Sequence, residues 1–106
     1  MVEDLRSFIK YIKTYHSDDF LEVNKLINPK LELSAVITKL EEQRRTPIVL
    51  FNNVQGTEFP TIVNVNASRK RIAAGMKTDL NKMREKYLAA VNNSIPPKYT
   101  SSAPVQ

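Results

Sequence analysis

The sequence predicts a small α/β (α+β) domain with a three-stranded mixed sheet, a βαβ unit, about four flanking helices and an extended C-terminal tail. Two short apolar runs, Leu21–Ile27 and Ile48–Phe51, have the length and the bounding turn residues of β-strands. Between them, apolar residues recur at helical spacing from Leu33 to Leu40. A helix between two strands is typical of a βαβ crossover. With 106 residues, the chain is one domain or a piece of a larger protein.

The N-terminal segment predicts an amphipathic helix that Asp4 caps, because an aspartate side chain can accept a hydrogen bond from a free N–H of the first turn. Its apolar positions fall on one face: Leu5, Phe8, Ile9, Ile12 and Tyr15. His16, the single histidine, follows this helix. No cysteine or serine pattern marks His16 as a general base, so we interpret it as a surface or capping residue.

The central unit starts with a strand over Phe20–Ile27, whose odd-numbered positions are predicted to face inward. Asn28 and Pro29 predict the N-cap and first residue of a helix that runs from about Lys30 to Arg44. Arg44 and the next arginine, Arg45, would complement the helix dipole at its C-terminal end.

The second half of the chain predicts two more strands and a short helix. Ile48–Phe51 is apolar on both faces, which indicates a central strand covered on both sides. Thr61–Val65 predicts a third strand, and closeness in sequence favours antiparallel pairing with the second. Ser68 is expected to cap a short helix over Arg69–Met76.

The last predicted helix begins after Thr78 or Asp79, either of which can act as its N-cap. Its apolar stripe consists of Leu80, Met83, Tyr87 and Val91, widened by Leu88. From Ile95 onwards the sequence has no periodic pattern, and Pro96-Pro97 enforces an extended chain. We therefore expect a domain over residues 1–94 and an extended linker over residues 95–106.

The net charge of +5 invites a nucleic-acid interpretation. The candidate phosphate-binding residues are Arg44, Arg45, Arg69, Lys70 and Arg71. They occur in groups of two or three, as on ordinary solvated surfaces. Phe8, Phe20, Phe51 and Tyr87 fall in apolar stripes and are predicted to be core residues rather than stacking platforms. A nucleic-acid partner is therefore not favoured.

An enzyme complete in this chain is not favoured either. The candidate acids are Asp18, Asp19, Glu41, Glu42 and Glu58, and nothing groups them with a nucleophile or an oxyanion donor. The chain has no cysteine, which excludes a thiolate metal site, and only two glycines, which excludes a glycine-rich phosphate loop. No catalytic, cofactor-binding or metal-binding residue is assigned.

The predicted location is cytoplasmic. No apolar run approaches the about 20 residues that a membrane-spanning helix needs. The N-terminus, Met1–Asp4, is acidic and lacks the basic start of a signal peptide.

Five segments, in order, resemble the UbiD-type decarboxylases. Asp4–Ile9 resembles the family's "DLRxFI", Asn28–Leu33 its "DPxLEI", Pro47–Gly56 its "PALLFENVKG", Asn66–Ala73 its "GSRERIA", and Pro96–Lys98 with Ser102–Val105 its "PP…APV". Three positions depart from these patterns: Asn28 replaces an aspartate, Gln55 a lysine and Ala67 a glycine. The resemblance covers nearly the whole chain, in order, although residues 77–93 carry no family signature.

The resemblance implies a longer protein. Family members remove or add CO2 at unsaturated or aromatic carboxylic acids, using prenylated FMN with a divalent metal and often potassium. Their catalytic Glu-Arg-Glu set and cofactor-binding barrel lie beyond this chain, so no catalytic or flavin residue carries over. The resemblance therefore implies a non-catalytic N-terminal scaffold domain, either a fragment or a separate subunit. Its partners would be the cofactor-binding and C-terminal domains of a homo-oligomeric enzyme. The alternative is a small basic module that binds nucleic acid or a protein.

Arg71 has two interpretations. It lies three residues after the Ser68 cap, and the resemblance makes an arginine expected there. It could reach an anion or an acidic group on a neighbouring domain. The favoured interpretation is an exposed arginine whose stem packs on the helix surface.

Overall fold

The computed structural model describes residues 4–104. Its elements are α1 (Leu5–Tyr15), β1 (Phe20–Val23), α2 (Glu32–Glu42), β2 (Ile48–Phe51), β3 (Thr61–Val63), α3 (Arg69–Gly75) and α4 (Met83–Asn92), with a 3-10 turn over Ser17–Asp19. Three parts of the sequence analysis fall outside the described residues. They are Met1–Glu3 of the acidic N-terminus, Val105 of the last resembling segment, and Gln106 at the end of the predicted linker.

The sheet has the order β1-β2-β3 and is mixed, as predicted. β1 is parallel to β2, from Phe20 opposite Ile48 to Val23 opposite Phe51. The helix α2 lies between these two strands in sequence, so the predicted βαβ unit is confirmed. β3 is antiparallel to β2, as predicted.

The predicted first strand was too long, because β1 ends at Val23. Beyond it, Asn24 leaves the sheet, and its side-chain oxygen accepts a hydrogen bond of 2.8 Å from the Asn52 amide. The chain returns for a single parallel bridge between Ile27 and Val54. The inward orientation of Ile27 is confirmed, since its side chain is buried.

Apolar side chains cover both faces of the sheet. On one face, α2 contributes Leu40 to a buried cluster with Ile27, Val49, Phe51 and Val54. On the other, Phe8 and Ile12 of α1 form a buried cluster with Ile48, against which Ala74 of α3 packs. Consecutive residues of a strand point to opposite faces, which is why Ile48 and Val49 belong to different clusters. The prediction of a central β2 covered on both sides is confirmed, and each such side chain contributes about 1.5–3 kcal/mol by burial.

The cap of α1 is a reciprocal pair between Asp4 and Ser7. The Ser7 N–H donates to Asp4 Oδ1 at 2.7 Å, and the Asp4 N–H donates to Ser7 Oγ at 3.1 Å. This capping box confirms the predicted start of the helix. The hydrogen bond from the Ser7 backbone, with help from the Ser7 side chain, lowers the pKa of Asp4 below its ordinary value.

The substitution Asp4→Ala should therefore have a pH-dependent effect on stability. The pKa of Asp4 in the folded protein lies below the unfolded value of about 3.9, so its contribution is complete above that value and is lost as the pH falls through the folded pKa. The difference in thermal midpoint between the wild type and D4A should shrink over that interval. Circular dichroism at several pH values measures it, with the exposed Asp18→Ala as control. A pH-independent difference would contradict the cap.

The predicted start of α2 is wrong. Asn28 is not its N-cap: α2 begins at Glu32, after Leu31, whose φ of 80° is left-handed. The Asn28 side-chain oxygen accepts from the Lys30 N–H at 2.9 Å, while the Glu32 carboxylate accepts from the Asn28 N–H at 3.3 Å. Asparagine side chains offer the backbone such local turns in competition with the helix, and here the turn delays the helix.

The C-terminal end of α2 is a Schellman motif. The helix ends at Glu42, two residues before the predicted end, and Arg44 follows with a left-handed φ of 58°. The Arg44 N–H donates to the Glu41 carbonyl at 2.8 Å, and the Arg45 N–H donates to the Leu40 carbonyl at 2.9 Å. Glycine normally occupies the left-handed position because it has no Cβ.

Arg44→Gly should therefore stabilise the domain. Relief of the left-handed strain is expected to raise the free energy of unfolding by about 1 kcal/mol. Arg44→Ala removes the same charge but keeps the Cβ, so it should give no gain. Urea unfolding of both variants measures the difference, and an equal effect of the two substitutions would contradict this account.

The structure bears out the Ser68 cap of α3 but not the predicted cap of the last helix. Ser68 Oγ accepts from the Arg71 N–H at 3.4 Å. Neither Thr78 nor Asp79 caps α4, which begins only at Met83. The Thr78 N–H instead closes the end of α3, and Asp79 Oδ1 accepts from the Lys82 N–H in a separate turn. From residue 94 to residue 104 the chain forms neither helix nor strand.

Candidate functional site

Among the described residues, the polar side chain that is buried most deeply is that of Arg71, which is only 2% exposed. Its Nη1 donates to Asp19 Oδ2 at 2.9 Å. Its Nη2 donates to the carbonyls of Asn64, at 2.8 Å, and Thr46. Its Nε donates to the Val65 carbonyl at 3.4 Å. This Arg71 network joins the 3-10 turn before β1, the segment entering β2 and the segment leaving β3.

The prediction of an exposed Arg71 is wrong. Three backbone carbonyls near the sheet lie around it, and a guanidinium with five donors can satisfy several acceptors at once. Because these contacts hold the guanidinium in the interior, they do not support the interpretation that Arg71 contacts a neighbouring domain. The pattern of α3 gives no sign of this burial, because Asp19 lies 52 residues earlier in the chain.

Asn64 helps to shape the Arg71 network. Its φ of 67° is left-handed, a conformation that asparagine tolerates better than most residues. Its carbonyl accepts from Arg71 at 2.8 Å. The left-handed backbone at Asn64 and the side chain of Arg71 are thus joined by this hydrogen bond.

Arg71→Ala should destabilise the domain by about 3–5 kcal/mol, because it removes the counter-charge and leaves buried carbonyls without a donor. Arg71→Lys should recover only part of the loss, since an ammonium cannot reproduce the planar fork. Asp19→Asn should cost less, about 1–2 kcal/mol, because the Asp19 side chain is 42% exposed. Urea unfolding measures all three changes.

Arg69→Ala is the control for this series, because Arg69 is exposed on the same helix. It should change the free energy of unfolding by no more than about 0.5 kcal/mol. An Arg71→Ala variant as stable as Arg69→Ala would refute a structural role for the network.

The candidate acids are not brought together. Asp18, Glu41, Glu42 and Glu58 are exposed, and Asp19 is paired with Arg71. His16 is exposed and forms the C-cap of α1, which confirms its predicted surface or capping role. Among residues 4–104, no group of three histidine or acidic side chains lies close enough to hold a metal ion.

The candidate basic residues also separate. Arg44, Arg45, Arg69 and Lys70 are exposed, whereas Arg71 is buried in its ion pair. Because Arg71 is not available at the surface, the case for a continuous phosphate-binding surface is weaker.

The predicted core aromatics divide into two groups. Phe8 and Phe51 are buried, and Phe20 packs at the edge of the core. Tyr87, in contrast, is 60% exposed, so its prediction as a core residue was wrong. The reason is that α4 contributes no buried residue to the described core.

An open groove between α1 and the end of α3 was missed by sequence reasoning. Tyr11 lies 5.1 Å from Tyr15 and 5.7 Å from His16 between ring centroids, and Lys10 and Lys77 line the same groove. The helical spacing of the two tyrosines is the only sequence signal for this cluster. It offers flat rings and positive charge to the solvent.

In the part of the chain that the structure describes, the buried cation and the N-termini of α1, α2 and α3 are not free to bind a flavin phosphate. The buried cation, Arg71, is engaged by internal acceptors. The N-termini of α1 and α3 are capped by their own Asp4 and Ser68, and α2 begins with Glu32, whose charge would repel a phosphate. In the groove, the N–H groups of His16 and Lys77 are used by the ends of α1 and α3.

A family model identifies the domain. Residues 16–91 match the N-terminal domain of 3-octaprenyl-4-hydroxybenzoate carboxy-lyase, UbiD_N. The chain belongs to this family. The matched span contains both Asp19 and Arg71, so the ion pair lies within the UbiD_N domain. The resemblance stated from the sequence is confirmed.

Two relatives of this UbiD_N chain are longer proteins that it matches only in part. An uncharacterized protein of Synechocystis is 32% identical over an alignment that covers 97% of this chain and 21% of that protein. An uncharacterized protein of Chlamydia trachomatis is 29% identical over 64% of this chain and 11% of its own length. The chain therefore spans about a fifth or less of these relatives.

Solved structures are likewise matched over only about a fifth of their own length. The UbiD-class enzyme HmfF of Pelotomaculum thermopropionicum, in an evolved dimeric form in complex with prFMN, matches 87% of this chain at 28% identity with a TM-score of 0.72. The match covers 20% of that chain. The closed form of Sedimentibacter hydroxybenzoicus vanillic acid decarboxylase shares the fold, with a TM-score of 0.65 at 20% identity over 88% of this chain and 19% of its own. Other domains therefore exist in this family.

Within residues 4–104, none of the helices combines the length and the apolar character that crossing a membrane requires.

Proposed function

We propose that this chain is the non-catalytic N-terminal scaffold domain of a UbiD-like non-oxidative decarboxylase. The parent enzyme acts on an unsaturated or aromatic carboxylic acid with prenylated FMN. Residues 1–94 form the domain, and residues 95–106 form an extended linker toward the cofactor-binding domain. The observation that carries this proposal is the match of 87% of the chain to 20% of HmfF, a structure that contains prFMN.

The scaffold role is supported by the distribution of reactive groups. The acids that could exchange a proton are exposed and dispersed, except for Asp19, which serves the Arg71 network. A decarboxylase needs groups that converge on a bound substrate. In the described part of the chain, the polar groups that converge on Arg71 are internal and hold loops to the sheet.

In this proposal, the rest of the protein supplies the catalytic groups and the cofactor site. The cofactor-binding and C-terminal domains supply the sites for prenylated FMN, a divalent metal and potassium, within the same polypeptide or as a separate subunit. The complete protein is a homo-oligomer. Its location is cytoplasmic, which is compatible with a chain that has no cysteine.

A comparison of the isolated chain with the native polypeptide or complex that contains it tests this function. Residues 1–106 should neither quench FMN fluorescence nor release CO2 from unsaturated or aromatic acids. The native species, produced in cells that make prenylated FMN, should carry the flavin and exchange labelled CO2 into at least one such acid. Stoichiometric flavin binding by the isolated chain would contradict the scaffold role. A native species with neither flavin nor CO2 exchange would contradict the decarboxylase assignment.

A further inference from the structure

One side of α4 exposes an apolar surface that nothing in the described residues covers. It consists of Leu80, Tyr87, Leu88 and Val91, whose side chains are 42%, 60%, 48% and 57% exposed. We call these four residues the α4 face. Single exposed apolar residues are ordinary, but a contiguous set of them marks an interaction site.

Helix geometry places three of these residues on one side of α4. Tyr87 and Val91 are separated by about one helical turn, and Leu88 neighbours Val91, three positions later. Leu80 lies in the turn immediately before the helix. Ala89 lies on the opposite side from Tyr87 and Val91, because two residues correspond to a rotation of about 200°.

α4 is attached to the domain along a different edge. Lys86 Nζ donates to the Lys77 carbonyl at 3.1 Å, which holds the helix beside the end of α3. None of its ten residues is buried, and its apolar side chains join neither core cluster. Within the described residues, the α4 face thus remains open.

The exposed apolar surface continues beyond the helix. Ile95 and Tyr99 are almost entirely exposed in the tail that leaves α4. The tail therefore adds two more exposed apolar side chains after the helix.

The charges around the α4 face define the chemistry of its partner. Lys82, Arg84 and Lys86 lie in or beside the helix, against two acids, Asp79 and Glu85. Arg84 lies among the apolar residues of the α4 face, three positions before Tyr87 and four before Leu88. A second copy of the helix would bring like charges together, which opposes self-association. An apolar surface with carboxylates at its rim would fit instead.

We propose that the α4 face docks the remainder of the decarboxylase, through an apolar surface of that remainder bordered by acidic side chains. This inference rests on the proposed function. Its occupant follows from the comparisons: the family match extends to residue 91 and so includes most of α4, while about four-fifths of the HmfF chain lies outside the matched region. The further domains of the family are therefore the proposed occupant of the uncovered α4 face.

Hydroxyl-radical footprinting tests the docking directly. The free chain of residues 1–106 is compared with the native species isolated from the source cell, whether that is one long polypeptide or a complex. Tyr87, Leu88 and Val91 should be oxidised several-fold more slowly in the native species, while exposed Phe59, in the loop between β2 and β3, is labelled equally in both. Equal labelling of the α4 face in both samples would overturn the proposal.

Two further outcomes separate the possible occupants. If protection already appears in the free chain and rises with concentration together with a doubled mass, the occupant is a second copy and the proposal is wrong. The footprint does not depend on flavin or turnover, so a protected α4 face in a native species without decarboxylase activity would refute the proposed function alone.

A pair of matched variants gives an independent test. Val91→Asp places a charge in the α4 face, and Ala89→Asp places the same charge on the opposite side. In the native species, Val91→Asp should restore fast oxidation of Tyr87 and increase protease cleavage between residues 93 and 104, whereas Ala89→Asp should do neither. In the free chain, the two variants should have equal thermal midpoints. Equal effects of both variants in the native species would contradict docking on this face.

Discussion

The buried guanidinium of Arg71 is the constraint on which the rest of the structure depends. It joins the three segments that flank the paired strands β1, β2 and β3, through Asp19 and the carbonyls of Thr46, Asn64 and Val65. A charge placed in the interior is tolerated only when its donors are satisfied, so these segments must keep their relative positions. The βαβ unit and α3 are thereby fixed as one body.

The two faces of the sheet carry different buried clusters, and α4 contributes a side chain to neither of them. α2 covers one face of β2, while α1 and the end of α3 cover the other, so the small core is complete. The apolar residues of α4 are therefore surplus to the core and available to another domain. The proposed scaffold role would use this organisation, with the core on the sheet and the exposed apolar residues of α4 at its edge.

Sequence periodicity predicted the parts of the fold that depend on local pattern. The buried β2, the crossover helix and the Asp4 and Ser68 caps all follow from residues close together in the chain. The errors have a common physical cause, which is competition from contacts that the pattern does not record. The Asn28 turn displaced the start of α2, and the end of α3 displaced the start of α4. Arg71 was misplaced because its partner Asp19 is distant in sequence. Tyr87 was assigned to a core because an apolar stripe does not reveal which surface it faces.

The intact mass of the native polypeptide in its source cell, measured together with the flavin that it retains, tests the central claim most directly. A scaffold domain of a decarboxylase predicts a mass, for the polypeptide or its complex, several times 12.1 kDa, with prenylated FMN released on denaturation. A free polypeptide of 12.1 kDa, with no associated subunit and no flavin, would contradict the account.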